Sequence, residues 1–106
     1  MSKSIRSKQG AVEAFRRQWS DMKKDLGNDP KPYARTRYKA RWCEEHFEEY
    51  GVIPENYCYL CEYVSLVRPG GNCSDVCPIN WGEGMGCVDF KYSLKPIDQI
   101  LSLPAK

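Results

Sequence analysis

The chain has 106 residues, of which 42% are hydrophobic and 28% are charged, and these proportions are typical of one globular domain. They exclude a largely disordered chain, and the length disfavours a large enzyme with a deep pocket. No apolar run approaches the roughly 20 residues that a membrane-spanning helix needs. The charged N-terminus is not followed by the apolar stretch of a secretory signal, so we expect a cytoplasmic protein.

The modest net charge of +2 hides a strong asymmetry along the chain. Residues 1–41 hold 12 basic and 4 acidic side chains, a balance of +8, whereas residues 42–106 hold 4 basic and 10 acidic side chains, a balance of −6. This pattern predicts either two surfaces that bind different partners or two halves that attract each other. We therefore expect a single domain over residues 1–106, with a basic, helical part (1–51) and an acidic, cysteine-rich, zinc-binding part (52–106).

An apolar stripe predicts the first helix. Its side chains recur at spacings of three, four or seven residues: Ile5, Val12, Phe15, Trp19, Met22 and Leu26. Ser4 or Ser7 would cap the start of this helix, and Gly27 would end it. We expect the stripe to face the core of its own chain. The alternative is a helical interface in a homodimer, although the repeat is short for a coiled coil.

A second helix is predicted from about Ala34 to Tyr50, where Gly51 would end it. One face would carry mainly aromatic side chains: Tyr38, Trp42, Cys43, His46, Phe47 and Tyr50. Basic side chains occupy its N-terminal half and acidic ones its C-terminal half, the reverse of what the helix macrodipole favours. Packing or a partner must therefore stabilise this helix.

The remaining sequence contains weaker signals for regular structure. A short strand is predicted at three apolar residues, Val64, Leu66 and Val67. A last short helix is predicted over residues 96–101, with Pro96 in its first turn and Pro104 after its end. The predicted fold is a small, mainly α domain in which two N-terminal helices pack on a zinc-stapled, loop-rich C-terminal knuckle with little strand.

Five cysteines give the clearest chemical signal in the sequence. Their spacing is Cys58-x2-Cys61-x11-Cys73-x3-Cys77-x9-Cys87. A C-x2-C turn places two thiolates on one zinc ion, and a second close pair about 10–20 residues later completes the ligand set. We therefore predict one structural zinc ion. Cys58 and Cys61 are its first two ligands, Cys73 with Cys77 is the favoured second pair, and Cys77 with Cys87 is the alternative.

The cysteines and the single histidine are also compatible with roles other than zinc binding. A disulfide framework also fits six cysteines but needs an oxidising compartment, and a redox dithiol needs an α/β pattern that the sequence lacks. Cys43 is expected to be a small apolar residue, and His46 a partly buried, hydrogen-bonded side chain, rather than ligands. A zinc ion saturated by protein ligands leaves no position for catalysis, so we expect no enzymatic activity.

The cysteine region also resembles a known group of proteins. The segments concerned are Cys58-Tyr59-Leu60-Cys61-Glu62-Tyr63, Cys73-Ser74-Asp75-Val76-Cys77-Pro78-Ile79-Asn80-Trp81, and Cys87. They are similar to a pattern common in small uncharacterised proteins encoded by tailed bacteriophages, and the resemblance covers about a third of the chain. It implies a protein made in the cytoplasm of an infected bacterium, of a kind that often binds and redirects a host or defence protein.

Two hypotheses of function follow from these observations. The first is a zinc-stabilised protein-binding module, for which the tyrosines are candidate contacts, at least half of them being expected in the core: Tyr33, Tyr38, Tyr50, Tyr57, Tyr59 and Tyr63. The second is a nucleic-acid-binding protein whose basic helices contact phosphates, with Trp19, Tyr33, Tyr38 or Trp42 stacking on bases. The acidic cysteine region would repel nucleic acid, which favours the first hypothesis.

Overall fold

The computed structural model describes Ile5 and residues 7–54, 57–67, 78–80 and 94–105. Five helices follow one another in these ranges: α1 (Lys8–Leu26), α2 (Pro32–Glu45), α3 (Phe47–Tyr50), α4 (Tyr59–Val67) and α5 (Ile97–Leu101). The extended pairing found among the same residues is an isolated antiparallel bridge between Ile79 and Ala105. The described part of the chain is thus mainly helical with almost no strand, as predicted. None of its helices has the length and apolar character needed to span a membrane.

Both ends of α1 lie where the sequence placed them. The Ser7 hydroxyl accepts a hydrogen bond from the Gly10 amide at 3.0 Å and so caps the first turn. At the other end, the Gly27 amide donates to the Lys23 carbonyl at 2.9 Å, and Gly27 has a φ of +87°. Glycine accepts a positive φ without strain because it has no Cβ, so the helix ends here.

The predicted second helix is interrupted at His46. Its first part, α2, starts at Pro32, and helical dihedral angles are lost at His46 (φ −108°, ψ 14°) before α3 begins. The Trp42 carbonyl accepts hydrogen bonds from both the His46 amide (3.0 Å) and the His46 ring Nδ1 (2.7 Å). The imidazole ring and the His46 amide therefore share one carbonyl acceptor, at the residue where the helix is interrupted. Gly51, with a φ of +75°, ends α3 as expected.

The short strand predicted around Val64 is wrong, because Val64, Leu66 and Val67 all belong to α4. Leu60 and Val64, four residues apart, are buried, whereas Leu66 and Val67 are exposed. Burial therefore follows the helical period and not the strand period. Three apolar residues within a stretch of four could not distinguish the two periods in the sequence.

The core forms where α1 contacts α2, α4 and α5. Phe15, Trp19 and Met22, from the middle of the apolar stripe of α1, are almost fully buried. Leu26, the last member of the stripe, is 42% exposed and leaves the core. The stripe therefore packs within its own chain, where burial of each large side chain stabilises the fold by about 1.5–3 kcal/mol.

The last helix, α5, is held against the turn that follows α1. The Asn28 carbonyl accepts a hydrogen bond from the Ile97 amide at 2.8 Å, and its side-chain oxygen accepts one from the Asp98 amide at 2.8 Å. These bonds place Ile97 and Ile100 in the core, where both are buried. The predicted helix after Pro96 is confirmed, with Pro96 as its N-cap residue.

Two basic side chains of α2 are buried, although the sequence placed them on a basic surface. Arg35 is 3% exposed and Lys39 is 5% exposed, and both charged groups lie over the Trp19 ring, at 5.8 and 5.6 Å from its centroid. Arg35 also donates hydrogen bonds to the Pro30 carbonyl at 2.9 Å and to the Lys95 carbonyl at 2.7 Å. Both cations therefore form their contacts within the core and not at the surface. Burial also removes water from Arg35 and so lowers its pKa.

The oppositely charged halves of the chain contact each other. Arg17 of α1 forms an ion pair with Glu49 of α3 and donates a hydrogen bond to the Tyr50 hydroxyl at 3.3 Å. The hydrogen bonds to Glu49 and Tyr50 raise the pKa of Arg17. Attraction between the halves, one of the two interpretations of the charge asymmetry, therefore has a direct structural basis.

Candidate metal centre

Cys58 and Cys61 lie at the start of α4, one helical turn apart. The Cys58 carbonyl accepts a hydrogen bond from the Glu62 amide at 3.2 Å, so Cys58 occupies the position that precedes the first helical residue. Neither forms a disulfide, both are half-buried, and the Cys61 thiol lies within hydrogen-bonding reach of the Cys58 sulfur. The C-x2-C turn thus brings together two of the soft ligands that a tetrahedral zinc site requires.

The surroundings of Cys58 favour its thiolate form. The hydrogen bond from the Cys61 thiol is the largest cause, and burial acts against it. The Lys39 ammonium group and the amides of Cys61 and Leu60 add to the stabilisation of the thiolate. Together these groups lower the pKa of Cys58 to about 6. Zinc binds the thiolate, so surroundings that lower the pKa of the thiol favour metal binding.

The backbone just before Cys58 is held in a strained conformation. Tyr57 has a φ of +55°, in the left-handed region that residues other than glycine rarely adopt. Its amide donates to the Pro54 carbonyl at 2.9 Å. Its carbonyl accepts hydrogen bonds from Gln18 Nε2 at 3.3 Å and from the Cys43 thiol at 3.9 Å. Strain of about 1–3 kcal/mol persists only where the surroundings impose it, and here it sets the direction in which the chain enters the cysteine turn.

Gln18 and Cys43 are the buried support for this turn. Both side chains are fully buried, and Gln18 Nε2 donates to the Cys43 sulfur at 3.4 Å. Burial raises the pKa of Cys43, so it remains a protonated thiol that can donate to Tyr57. Cys43 is thus a core residue, as expected. Sequence reasoning missed Gln18, whose signal is a polar residue between Phe15 and Met22 on the apolar stripe.

Lys39 supplies a buried positive charge that acts on Cys58. Four thiolates around one zinc ion carry a net double negative charge, so a nearby ammonium group would offset part of it. The sequence contains a signal for this role, because Arg35, Lys39 and Cys43 follow one another at four-residue spacing and therefore share one helix face. This signal is lost when the basic residues of α2 are considered only as surface charges.

The other three predicted ligands, Cys73, Cys77 and Cys87, lie outside the described residues. Within the ranges given above, no three histidine, cysteine, aspartate or glutamate side chains lie close enough together to hold a metal ion. The residues that follow Cys77 in the sequence are described: Pro78 and Ile79 are buried, and the Asn80 amide donates to the Pro104 carbonyl at 2.9 Å. Residues 78–80 thus lie next to the end of α5, with Pro78 and Ile79 in the core.

His46 is engaged with Trp42. Its ring stacks on the Trp42 ring with 3.7 Å between the centroids, and its Nδ1 donates to the Trp42 carbonyl. The side chain is half-buried. It is therefore the partly buried, hydrogen-bonded histidine that the sequence predicted.

The six tyrosines proposed as contact residues divide into three groups. Tyr38, Tyr50 and Tyr59 are buried in the core, which agrees with the expectation that at least half would pack there. Tyr57 and Tyr63 are half-buried and pack against the core. Tyr33 is 68% exposed. Only Tyr33, among the six, presents most of its ring to a partner.

Comparison with protein-family models, with curated proteins and with solved structures finds no match to this chain. Function must therefore be argued from the chemistry of specific residues.

Proposed function

We propose that this chain is a zinc-stabilised, non-enzymatic protein-binding module. The observation that carries the proposal is the convergence of the Cys58 and Cys61 thiols at the first turn of α4. With two further ligands from Cys73, Cys77 and Cys87 they would complete one tetrahedral site. Four protein ligands leave no coordination position for water, so the role of this zinc ion is to stabilise the fold.

A structural zinc ion would connect the cysteine turn at the start of α4 with the later cysteines. The cysteine turn is already held in place by the core through Tyr57, Gln18 and Cys43. A zinc ion on Cys58 and Cys61 would tie the later cysteine segment to that same point. Because metal binding and folding are coupled in such sites, the later segment would gain its stability from the ion.

The described surface supports a protein partner. Large hydrophobic side chains are exposed at several places: Leu26, Tyr33, Phe47, Ile53, Leu66, Val67 and Leu94. Aromatic side chains with neighbouring arginines are favoured at the centres of protein interfaces. From the resemblance to phage-encoded proteins, we place the partner among the host or defence proteins in the cytoplasm of an infected bacterium.

Nucleic-acid binding by the basic helices draws less support from the described residues. Trp19 and Trp42, two of the side chains proposed to stack on bases, are buried in the core. Arg35 and Lys39 are buried too, so they are not available for phosphates. A loss of DNA or RNA affinity of about ten-fold or more between low and physiological salt would nevertheless favour this alternative.

The zinc scaffold is tested by the metal content of the full chain purified under reducing conditions, with reactive thiols counted before and after chelation. We expect one zinc ion per chain and four additional reactive thiols after the metal is removed. A metal-free protein with few reactive thiols would mean that the cysteines form disulfides, and it would overturn both the zinc scaffold and the cytoplasmic location.

A further inference from the structure

A groove of about 340 Å³ lies between the end of α1 and the first half of α2. Its described lining consists of Leu26, Tyr33, Ala34, Arg37, Tyr38 and Arg41. Leu26 is the member of the α1 stripe that leaves the core, and Tyr33 is the most exposed of the large hydrophobic side chains described. The groove therefore combines an apolar wall with an accessible aromatic ring.

The groove is positively charged. Arg37 and Arg41 are both exposed and lie four residues apart on α2, which places them on the same helix face. The described lining contains no acidic side chain. The described ion pairs are Arg17–Glu49 and Arg41–Glu45, so none of them involves Arg37.

The second arginine is held in position over the groove. The Arg41 guanidinium lies over the Tyr38 ring, 5.3 Å from its centroid. Its Nε is 3.7 Å from a Glu45 oxygen, but both side chains are largely exposed, so this contact contributes little and can be exchanged. Asp25 accepts a hydrogen bond at 2.5 Å from the hydroxyl of Tyr38, a lining residue, so its negative charge offsets part of the positive charge of the two arginines.

We propose that this groove binds an acidic segment of a partner protein. The carboxylates of the segment pair with Arg37 and Arg41, and an apolar or aromatic side chain next to them packs between Leu26 and Tyr33. Arginine suits this role because its planar guanidinium group can bind a carboxylate through two hydrogen bonds. The inference rests on the proposed function, since it names the chemistry of the partner that a protein-binding module would take.

A peptide fits the groove better than a nucleic acid does. Continuous phosphate binding requires a track of basic side chains. The other basic side chains of the same stretch of α2, Arg35 and Lys39, are buried beneath α2 on Trp19 and extend no such track from the groove. The described lining offers two guanidinium groups and no further basic side chain.

The test uses the full chain as purified with its metal, and three fluorescent probes at low salt. The first is a short peptide of alternating glutamate and glycine with one central tryptophan, the second has glutamine in place of glutamate, and the third is an oligothymidylate of equal length. We expect the acidic peptide to bind at least about five-fold more tightly than the glutamine peptide. Arg37→Glu and Arg41→Glu should each weaken its binding at least about five-fold.

The matched control is Lys8→Glu, which makes the same change in net charge at an exposed position at the opposite end of α1. It should leave the affinity within about two-fold of the unchanged protein, because salt screens a distant exposed charge. Tyr33→Ala should weaken the acidic peptide without altering net charge. The proposal is overturned by equal binding of the two peptides, by equal effects of Arg37→Glu and Lys8→Glu, or by no binding up to about 1 mM peptide.

Two further outcomes separate this inference from other proposals. Tighter binding of oligothymidylate than of the acidic peptide would assign the groove to nucleic acid and overturn the inference. Zinc content is measured on the same samples. Binding of the acidic peptide by a zinc-free protein would support the proposed groove and overturn the zinc scaffold. A zinc-loaded protein that does not bind the peptide would support the zinc scaffold and overturn the proposed groove.

Discussion

The Gln18 side chain of α1 donates a hydrogen bond to the Tyr57 carbonyl at 3.3 Å, between residues that are 39 positions apart in the sequence. It connects the middle of the first helix to the residue that precedes Cys58. Gln18 is fully buried, so water does not replace it as the donor. The Tyr57 carbonyl keeps a second, longer donor in the Cys43 thiol at 3.9 Å, so loss of the Gln18 donor costs about 0.5–1.5 kcal/mol, and the cysteine turn and the helical core depend on each other for stability.

Gln18→Leu should therefore destabilise the protein by about 0.5–1.5 kcal/mol, because leucine keeps the volume but removes one of the two donors to the Tyr57 carbonyl and the donor to the Cys43 sulfur. The measurement is urea unfolding followed by tryptophan fluorescence. The control is Gln9→Leu on the exposed side of α1, for which we expect a change of about 0.5 kcal/mol or less. Equal unfolding midpoints for the two variants would show that the hydrogen bond does not stabilise the fold.

Two buried tyrosines predict a loss of stability in alkaline solution. Burial, followed by the hydrogen bond to Asp25, raises the pKa of Tyr38, and burial, followed by the contact with Cys43, raises the pKa of Tyr59. In the unfolded chain both tyrosines have a pKa of about 10. A pKa that is higher in the folded state stabilises the protein fully below the unfolded pKa, and this contribution is lost as the pH rises above it.

The free energy of unfolding should therefore fall as the pH rises above about 10. Tyr38→Phe should make this fall shallower, while Tyr33→Phe, at an exposed ring, should leave it unchanged. Denaturant titrations at a series of pH values measure the slope, and ultraviolet absorbance follows tyrosinate formation. An unchanged slope in Tyr38→Phe would mean that Tyr38 titrates normally in the folded protein.

The parts of the fold that could be predicted from the sequence have local causes. Ser7 and Gly27 bound α1 through their own backbone and side-chain preferences, and Pro96 marks the start of α5 in the same way. The break at His46 could not be predicted, because it depends on where the imidazole ring lies relative to the Trp42 carbonyl. The α4 helix was missed because its apolar residues are too few to reveal their period.

Of the candidate site, the sequence indicated only that Cys58 and Cys61 would lie close together. The C-x2-C spacing alone identified Cys58 and Cys61 as a pair at one point in space. The residues that support this pair are distant in the sequence. Gln18 of α1 donates a hydrogen bond to Tyr57, which precedes Cys58, and Lys39 of α2 favours the Cys58 thiolate. The sequence pattern predicted that basic residues lie on the surface. It could not predict that Lys39 is buried over the ring of Trp19.

Lys39→Met should weaken zinc binding by about ten-fold, the low end of the usual effect of groups that support metal ligands. Methionine keeps the apolar stem over Trp19 but removes the positive charge that favours the Cys58 thiolate. Competition with a chromophoric chelator measures the affinity. Lys24→Met, on the exposed face of α1, is the matched control and should bind zinc as the unchanged protein does. Identical affinities in the two variants would remove Lys39 from the site.

The ion pair between Arg17 and Glu49 should couple the two halves of the chain weakly. Both side chains are about one-third exposed, with relative exposures of 36% and 28%, so we expect a coupling free energy of at most about 1 kcal/mol. A double-mutant cycle with Arg17→Ala and Glu49→Ala measures it. The coupling should shrink when salt is added, because salt screens partly exposed charges. A coupling of zero at low salt would assign the contact between the halves to packing alone.

Loss of either ligand in the C-x2-C turn should release the metal, and loss of the nearby core cysteine should not. Cys61→Ser should purify without zinc, and limited proteolysis should cleave it rapidly between residues 58 and 87, because folding of a structural zinc site depends on its ion. Cys43→Ala should lose some stability, since it removes a buried sulfur from the core, but should retain one zinc ion per chain. Metal analysis and proteolysis of the two variants, side by side, distinguish a ligand from a packing residue. Full stability and protease resistance in zinc-free Cys61→Ser would show that the cysteine segment folds without a metal ion.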